Sequence, residues 1–284
     1  MARWLVKALA LSPAVVTSTF LTMLVGAAMP PLPGSVLFFG GLLAGLLLLV
    51  GVGEQAAARV LLWSRPARVA ELEVLAGPLT LLCRAGLGPP LVRLRVRVGE
   101  TSIGAAGMGR QTVVVSQGLV AAVEDGSLPV DQAAAVITHA AGLVRGGWVR
   151  HDPVLGFWTL PWQLVRGVAQ AIAAGGRRLP LTTVAWRLRG VVIGIAAIQS
   201  AQAHQVGLAL VIAGIGVISY AMPVWERHWQ RALLAAGDRA VREAGLAAAM
   251  ATFVRRCPST AGSRARVRAL EPSTAPTRPV GLVR

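Results

Sequence analysis

Two long apolar runs open the chain. No charged residue occurs from Ala8 to Met29 or from Ser35 to Gly53, and either run is long enough to cross a hydrocarbon core of about 30 Å as a helix. Between them Pro30, Pro31, Leu32, Pro33 and Gly34 read as a rigid uncharged turn, with Arg3 and Lys7 before the pair and Arg59, Arg65 and Arg68 after it. Basic flanks stay on the cytoplasmic side, so the N-terminus and the segment after Gly53 are expected there. A cleaved signal peptide would have a shorter apolar region and no second span directly behind it. Gly41 and Gly45 form a GxxxG pair, which reads either as a close-contact point for another helix or as a consequence of 32 glycines in the chain.

The period then changes. A helical stretch from Arg65 to about Gly88 precedes Leu91 to Val98, where Arg93, Arg95 and Arg97 alternate with Val92, Leu94, Val96 and Val98. That is the period of a half-buried strand. Its arginine face is expected to be solvated or to meet lipid headgroups, with an anion site as the sharper alternative. Gln111 to Ser116 predicts a second strand, and Gly104 to Gly109 a tight connection before it. A helix is predicted from Val130 to Arg145, with Pro129 and Asp131 suiting its start and Gly146 and Gly147 ending it.

Pro153 to Gly176 is a third apolar stretch, interrupted by Gln163, Arg166 and Gln170. Gly190 to Met222 contains no Asp, Glu, Lys or Arg and would be about 50 Å long as one helix, too long for one untilted span. It is expected to fold back near Gln202 to Gln205, leaving 153–176 re-entrant or interfacial; one span in each stretch is the competing scheme. Arg177, Arg178, Arg187 and Arg189 favour the first. Arg166, near Trp158 and Trp162, reads as a side chain reaching an interface, and His204 as a loop residue. A polar helix follows from Pro223 to Ala248, then a tail rich in Arg and Pro, 255–284, expected to be disordered and drawn to the inner leaflet.

Composition sharpens this picture. Hydrophobic residues make up 55% of the chain and charged ones 14%, with a mean hydropathy of +0.63, more apolar than a soluble domain of this size. Lys7 is the only lysine among 28 basic residues, and against 12 acids they give a net charge of +16. Such a charge suits an anionic inner leaflet. Nucleic acid is not expected, because the arginines flank apolar segments and are not gathered with aromatics that stack bases. Cys83 and Cys257 show no metal or redox spacing, and the absence of asparagine excludes N-glycosylation. Arginine in place of lysine, with abundant alanine and glycine, points to a high-GC bacterial genome and to a multi-pass protein of the bacterial inner membrane.

The stretches QTVVVSQGLVAAVEDGSLPVDQAAAVITHAAGLVRGG and ALLAAGDRAVREAG, in this order of segments, resemble the HtpX-like membrane zinc metallopeptidases, the family that includes the CaaX prenyl proteases. The resemblance covers most of the chain up to about Ala248. It implies a mainly α membrane protein: apolar transmembrane helices plus a small α+β, zincin-like cytoplasmic domain. It further implies an N-terminal hairpin over 1–54, a metallopeptidase-like region over 55–152, further membrane segments over 153–222 and a cytoplasmic helix over 223–254.

In that family a helix carries His-Glu-x-x-His and a later helix Glu-x-x-x-Asp. The two histidines and the later glutamate hold zinc, the first glutamate is the general base, and the aspartate orients a histidine. Carried onto this chain, His139 keeps the first position, Ala140 stands at the base, Leu143 at the second ligand and Leu234 at the third, and Asp238 keeps the orienting position. Hydrocarbon side chains neither bind zinc nor accept a proton. The resemblance implies zinc metalloendopeptidase chemistry, and the residues present imply its loss.

No catalytic, metal or cofactor-binding residue is therefore expected to function, and the vacated positions are expected to pack as core. His151 lies beyond the Gly146-Gly147 break, and Glu226 and His228 fall on different helix faces, so neither replaces the lost ligands. The function expected is a catalytically silent scaffold that binds another membrane protein. The alternatives are an active metallopeptidase with displaced ligands, the one case in which zinc is expected, and a small channel or transporter built on Gln163, Arg166, Gln170 and Gln202.

Overall fold

The computed structural model describes residues 3–88, 92–176 and 180–271. Its elements in chain order are α1 (Arg3–Ala28), α2 (Pro31–Val50), α3 (Glu54–Leu61), β1 (Ser64–Pro66), α4 (Val69–Val74), α5 (Ala76–Arg84), β2 (Arg93–Arg97), β3 (Ala105–Met108) and β4 (Thr112–Ser116), followed by α6 (Gln117–Glu124), α7 (Val130–Arg145), α8 (Asp152–Trp158), α9 (Leu160–Gly176), α10 (Pro180–Gln202), α11 (Val206–Glu243), α12 (Ala247–Arg256) and α13 (Ala261–Leu270). They form two compact units. One is Met1–Gly53 with His151–Ala232, the other Glu54–Arg150 with Leu233–Arg284.

In the first unit α1, α2 and α11 are long and apolar enough to cross a membrane. The α1–α2 reversal is tighter than the five-residue turn expected from sequence. Pro31 and Pro33 lie inside the first turn of α2, where a missing N–H costs no hydrogen bond, so only Met29 and Pro30 connect the helices. A Cβ on Gly34 would lie 2.6 Å from the Gly26 carbonyl oxygen, so this crossing requires glycine.

α8 docks on the hairpin through polar contacts. Lys7 Nζ reaches Asp152 Oδ1 at 2.6 Å and stands 5.4 Å from the centre of the Trp229 ring, within cation–π range. Trp158 Nε1 donates to Thr19 Oγ1 at 2.9 Å, and the Trp162 N–H donates to the buried Ser18 hydroxyl at 3.1 Å. Gly45 faces Val154 and Trp158, whereas Gly41 faces open space, so half of the GxxxG pair is a packing site. From Gln163 to Val168 every position is exposed, Arg166 included.

α10 and α11 are the expected fold-back: α10 ends at Gln202, His204 takes a left-handed conformation (φ 58°) and α11 begins at Val206. The charge-free part of α11 ends at Met222, and its last turns belong to the second unit. Arg177 and Arg178 lie outside the described residues.

The second unit holds a four-stranded sheet in the order β1-β2-β4-β3. β2 and β4, the two strands predicted from sequence, pair in parallel, and β1 and β3 pair antiparallel at the edges. The stretch read as a tight connection contains β3. Its sequence, AAGM, lacks β-branched and aromatic residues. Packing explains it: a Cβ on Gly107 would lie 2.8 Å from both the Ala140 oxygen and Val144 Cγ2, so α7 sits directly on this strand.

The arginine face of β2 also departs from expectation. Arg93 and Arg97 are exposed, but Arg95 is only 6% exposed. β1 covers it: Arg95 Nε donates to Ser64 Oγ at 2.9 Å and Nη2 to the Ser64 carbonyl at 2.7 Å. Burial, with repulsion from Arg59, pushes this guanidinium below its ordinary pKa.

α7 covers the opposite face over its predicted span, burying Ala133, Ile137, Ala140 and Ala141 against Val113, Val115 and Leu119, with Val241, Met250 and Val254 completing the core. Residues 261–270 are helical, contrary to the disorder expected from composition. Thr260 Oγ1 accepts from the Ser263 N–H at 3.1 Å and Ser263 Oγ from the Thr260 N–H at 2.8 Å, a reciprocal cap. Leu270 is buried at the other end. Residues 272–284 of the expected tail lie outside the described residues.

Candidate functional site

Three elements of the second unit meet at one polar cluster. α7 carries His139, the last turns of α11 carry Asp238, and α13 carries Arg266. His139 Nδ1 lies 3.2 Å from Asp238 Oδ1. Arg266 grips the same carboxylate from both sides of its fork, with Nη2 to Oδ1 at 2.6 Å and Nε to Oδ2 at 2.9 Å. Arg266 Nη2 is also 3.3 Å from His139 Nδ1. A carboxylate only accepts and a guanidinium only donates, so Nδ1 donates to Asp238 when protonated and accepts from Arg266 when not.

The cluster is sheltered. Side-chain exposure is 13% for His139, 10% for Asp238 and 19% for Arg266. The imidazole lies flat against α11, where a Cβ on Gly237 would overlap its ring, and one turn further a Cβ on Gly142 would overlap Ala240. These two glycines let α7 and α11 approach closely enough for His139 to reach Asp238. Burial pushes the Asp238 carboxyl up, but the hydrogen bonds from His139 and Arg266, with the Arg266 charge, outweigh it and hold it below the usual carboxylate range.

Of the positions singled out from sequence, His139 and Asp238, 99 residues apart, are brought together. Ala140 and Leu143 belong to the hydrophobic core. Leu234 does not; it is 40% exposed, while its neighbours Leu233 and Ala236 pack against the core. His151, Glu226 and His228 belong to the other unit. Among the described residues no three or more His, Cys, Asp or Glu side chains gather into a group that could hold a metal ion. Beside His139 the donor set is one carboxylate already held by a cation, which does not fit zinc.

Sequence reasoning missed Arg266, which lies in the stretch read as a disordered tail. The available signal was local: Thr260 and Ser263 at cap spacing, followed by Val267 and Leu270 on one helical face.

Comparison with family models, curated proteins and solved structures returns no match.

Proposed function

We propose that this chain is an integral membrane protein whose second unit is a catalytically silent, zincin-like relative of the HtpX-like metallopeptidases, working by binding another membrane protein. The observation that carries this reading is the His139–Asp238 contact. Two residues aligned by resemblance to a ligand and its orienting partner meet in space, while the aligned base and second ligand are buried hydrocarbon, Ala140 and Leu143. Arg266 supplies the positive charge that a carboxylate in this setting requires.

Membrane insertion is supported by the three apolar helices, and the expected cytoplasmic side by the basic flanks. Glu54–Arg150 and the described residues from Leu233 to Glu271 fall in one compact unit, which supports a reading in which the chain between them crosses an even number of times. α11 therefore pairs with α10, its neighbour across the His204 turn, and α8–α9 does not cross. This reading has four crossings in the inner membrane of a bacterial cell, with the N-terminus and the second unit on the cytoplasmic side.

The test is elemental analysis of the full chain purified in detergent, together with an assay on an unfolded membrane peptide. Substoichiometric zinc and no cleavage are expected. Stoichiometric zinc that disappears in His139→Ala would overturn the silent reading.

A further inference from the structure

The concave face between α12 and α13 carries more positive charge than its surroundings neutralise. A cavity of about 550 Å³ is floored by Val254, Cys257 and Val267 and rimmed by Arg255, Arg264 and Arg268. Neither helix contains an acid. The acids that reach them are Asp238, held by Arg266, and Glu271, paired with Arg255. Among the described residues Arg264 bonds only the neutral Ser259 hydroxyl, at 3.2 Å. Arg268 makes no ion pair or hydrogen bond among the described residues. Arg264 and Arg268 stand four residues apart on one helix face, a spacing at which like charges repel.

Two unneutralised guanidinium forks on one rim match a doubly charged tetrahedral anion better than a carboxylate, because each fork takes two oxygens and the anion cancels both charges. The cavity is larger than a bare phosphate, and its apolar floor suits the carbon part of an ester. We propose that this cavity binds a phosphate ester through Arg264 and Arg268, with Arg255 at the rim. Arg266 leaves the same helix two residues from each of them, so the ligand holds α13 from one side while Asp238 holds it from the other. A soluble phosphate ester and an anionic phospholipid headgroup share this chemistry.

Binding is measured on the full chain in neutral phosphatidylcholine nanodiscs, titrated with inorganic phosphate and with glycerol 3-phosphate. A second arm uses nanodiscs with and without phosphatidic acid. Arg264→Gln with Arg268→Gln is expected to weaken binding at least about tenfold, the loss of two charge-assisted contacts. Arg84→Gln with Arg93→Gln removes equal charge from exposed positions elsewhere and is expected to change it less than about twofold.

In a Cys83→Ser background an uncharged maleimide reports occupancy at Cys257, and labelling slows with ligand only when Arg264 and Arg268 are present. This readout holds even if the double variant is less stable, because labelling is compared with and without ligand in each protein. A response to the soluble anions assigns the ligand to that class, and a response confined to phosphatidic acid assigns it to the headgroup. Equal weakening by the two double variants, or no response in either arm, overturns the proposal.

Discussion

Replacing Arg266 by methionine removes the cation from Asp238 while keeping most of the side-chain volume. The carboxylate is short and 10% exposed, so it cannot turn to water and keeps only the contact with His139. Breaking a fully buried pair this way costs about 3–5 kcal/mol; with Arg266 itself 19% exposed, about 2 kcal/mol is the expected cost. Asp238→Leu should cost less, because the long Arg266 side chain can swing into solvent from a short surface helix. The double variant should recover more than half of the Arg266→Met loss.

The cost also has a pH signature. In the wild type the Asp238 pKa is lowered on folding, so its contribution is complete above the unfolded value near 3.9 and is lost as pH falls through the lowered folded value. The gap between wild type and Arg266→Met should therefore be full at pH 7 and shrink as pH falls through the variant's Asp238 pKa, which burial without Arg266 places above that of the wild type. Amide hydrogen exchange of α7 and α12 peptides is the assay, and about 2 kcal/mol appears as roughly 30-fold faster exchange. Equal exchange in wild type and Arg266→Met at pH 7, or Asp238→Leu faring worse than Arg266→Met, would refute the reasoning.

Other contacts give outcomes with a definite sign. Gly237→Ala should lower the melting temperature although alanine is favoured in helices by about 1 kcal/mol, because its methyl overlaps the His139 ring; Gly214→Ala on the same helix meets open space and should not lower it. Glu54 accepts from the Arg110 and Gln111 N–H groups and, at 2.6 Å, from the Thr112 hydroxyl, so Glu54→Ala should speed exchange in the β3–β4 hairpin about fivefold, for a loss of about 1 kcal/mol. Ser116 caps α6 through the Leu119 N–H at 3.1 Å and also accepts from Gly104; Ser116→Ala should cost about 1–2 kcal/mol in thermal unfolding, and Ser116→Asp much less.

The parts legible in the sequence are those where one local pattern decides the structure. Absence of charge marks α1 and α2, alternation marks β2, and α7 runs from Val130 to Arg145 between a proline and a glycine pair. The missed parts depend on a distant neighbour. β3 is a strand because α7 and β4 accept it, and its glycine, which weakens the local signal, is what the α7 contact needs. Arg95 follows the alternation, but which face is wet depends on Ser64, 31 residues earlier. In α13 basic and proline-rich composition outweighed a two-residue cap and two apolar contacts. The cluster was half visible: a resemblance paired His139 with Asp238, and no local pattern pointed to Arg266.

The polar cluster of His139, Asp238 and Arg266 needs a physical reason of its own. A histidine and a carboxylate in a sheltered site are costly, and hydrocarbon side chains there would be cheaper. Here the carboxylate ties three elements together, and the third is a short helix of small residues and arginines whose apolar anchors are Val267 and Leu270. The polar contact thus fixes where α13 sits, and through α13 where Arg264 and Arg268 face. On this view His139, Asp238 and Arg266 serve as a clasp, and removing any one should loosen the C-terminal helix before it loosens the sheet.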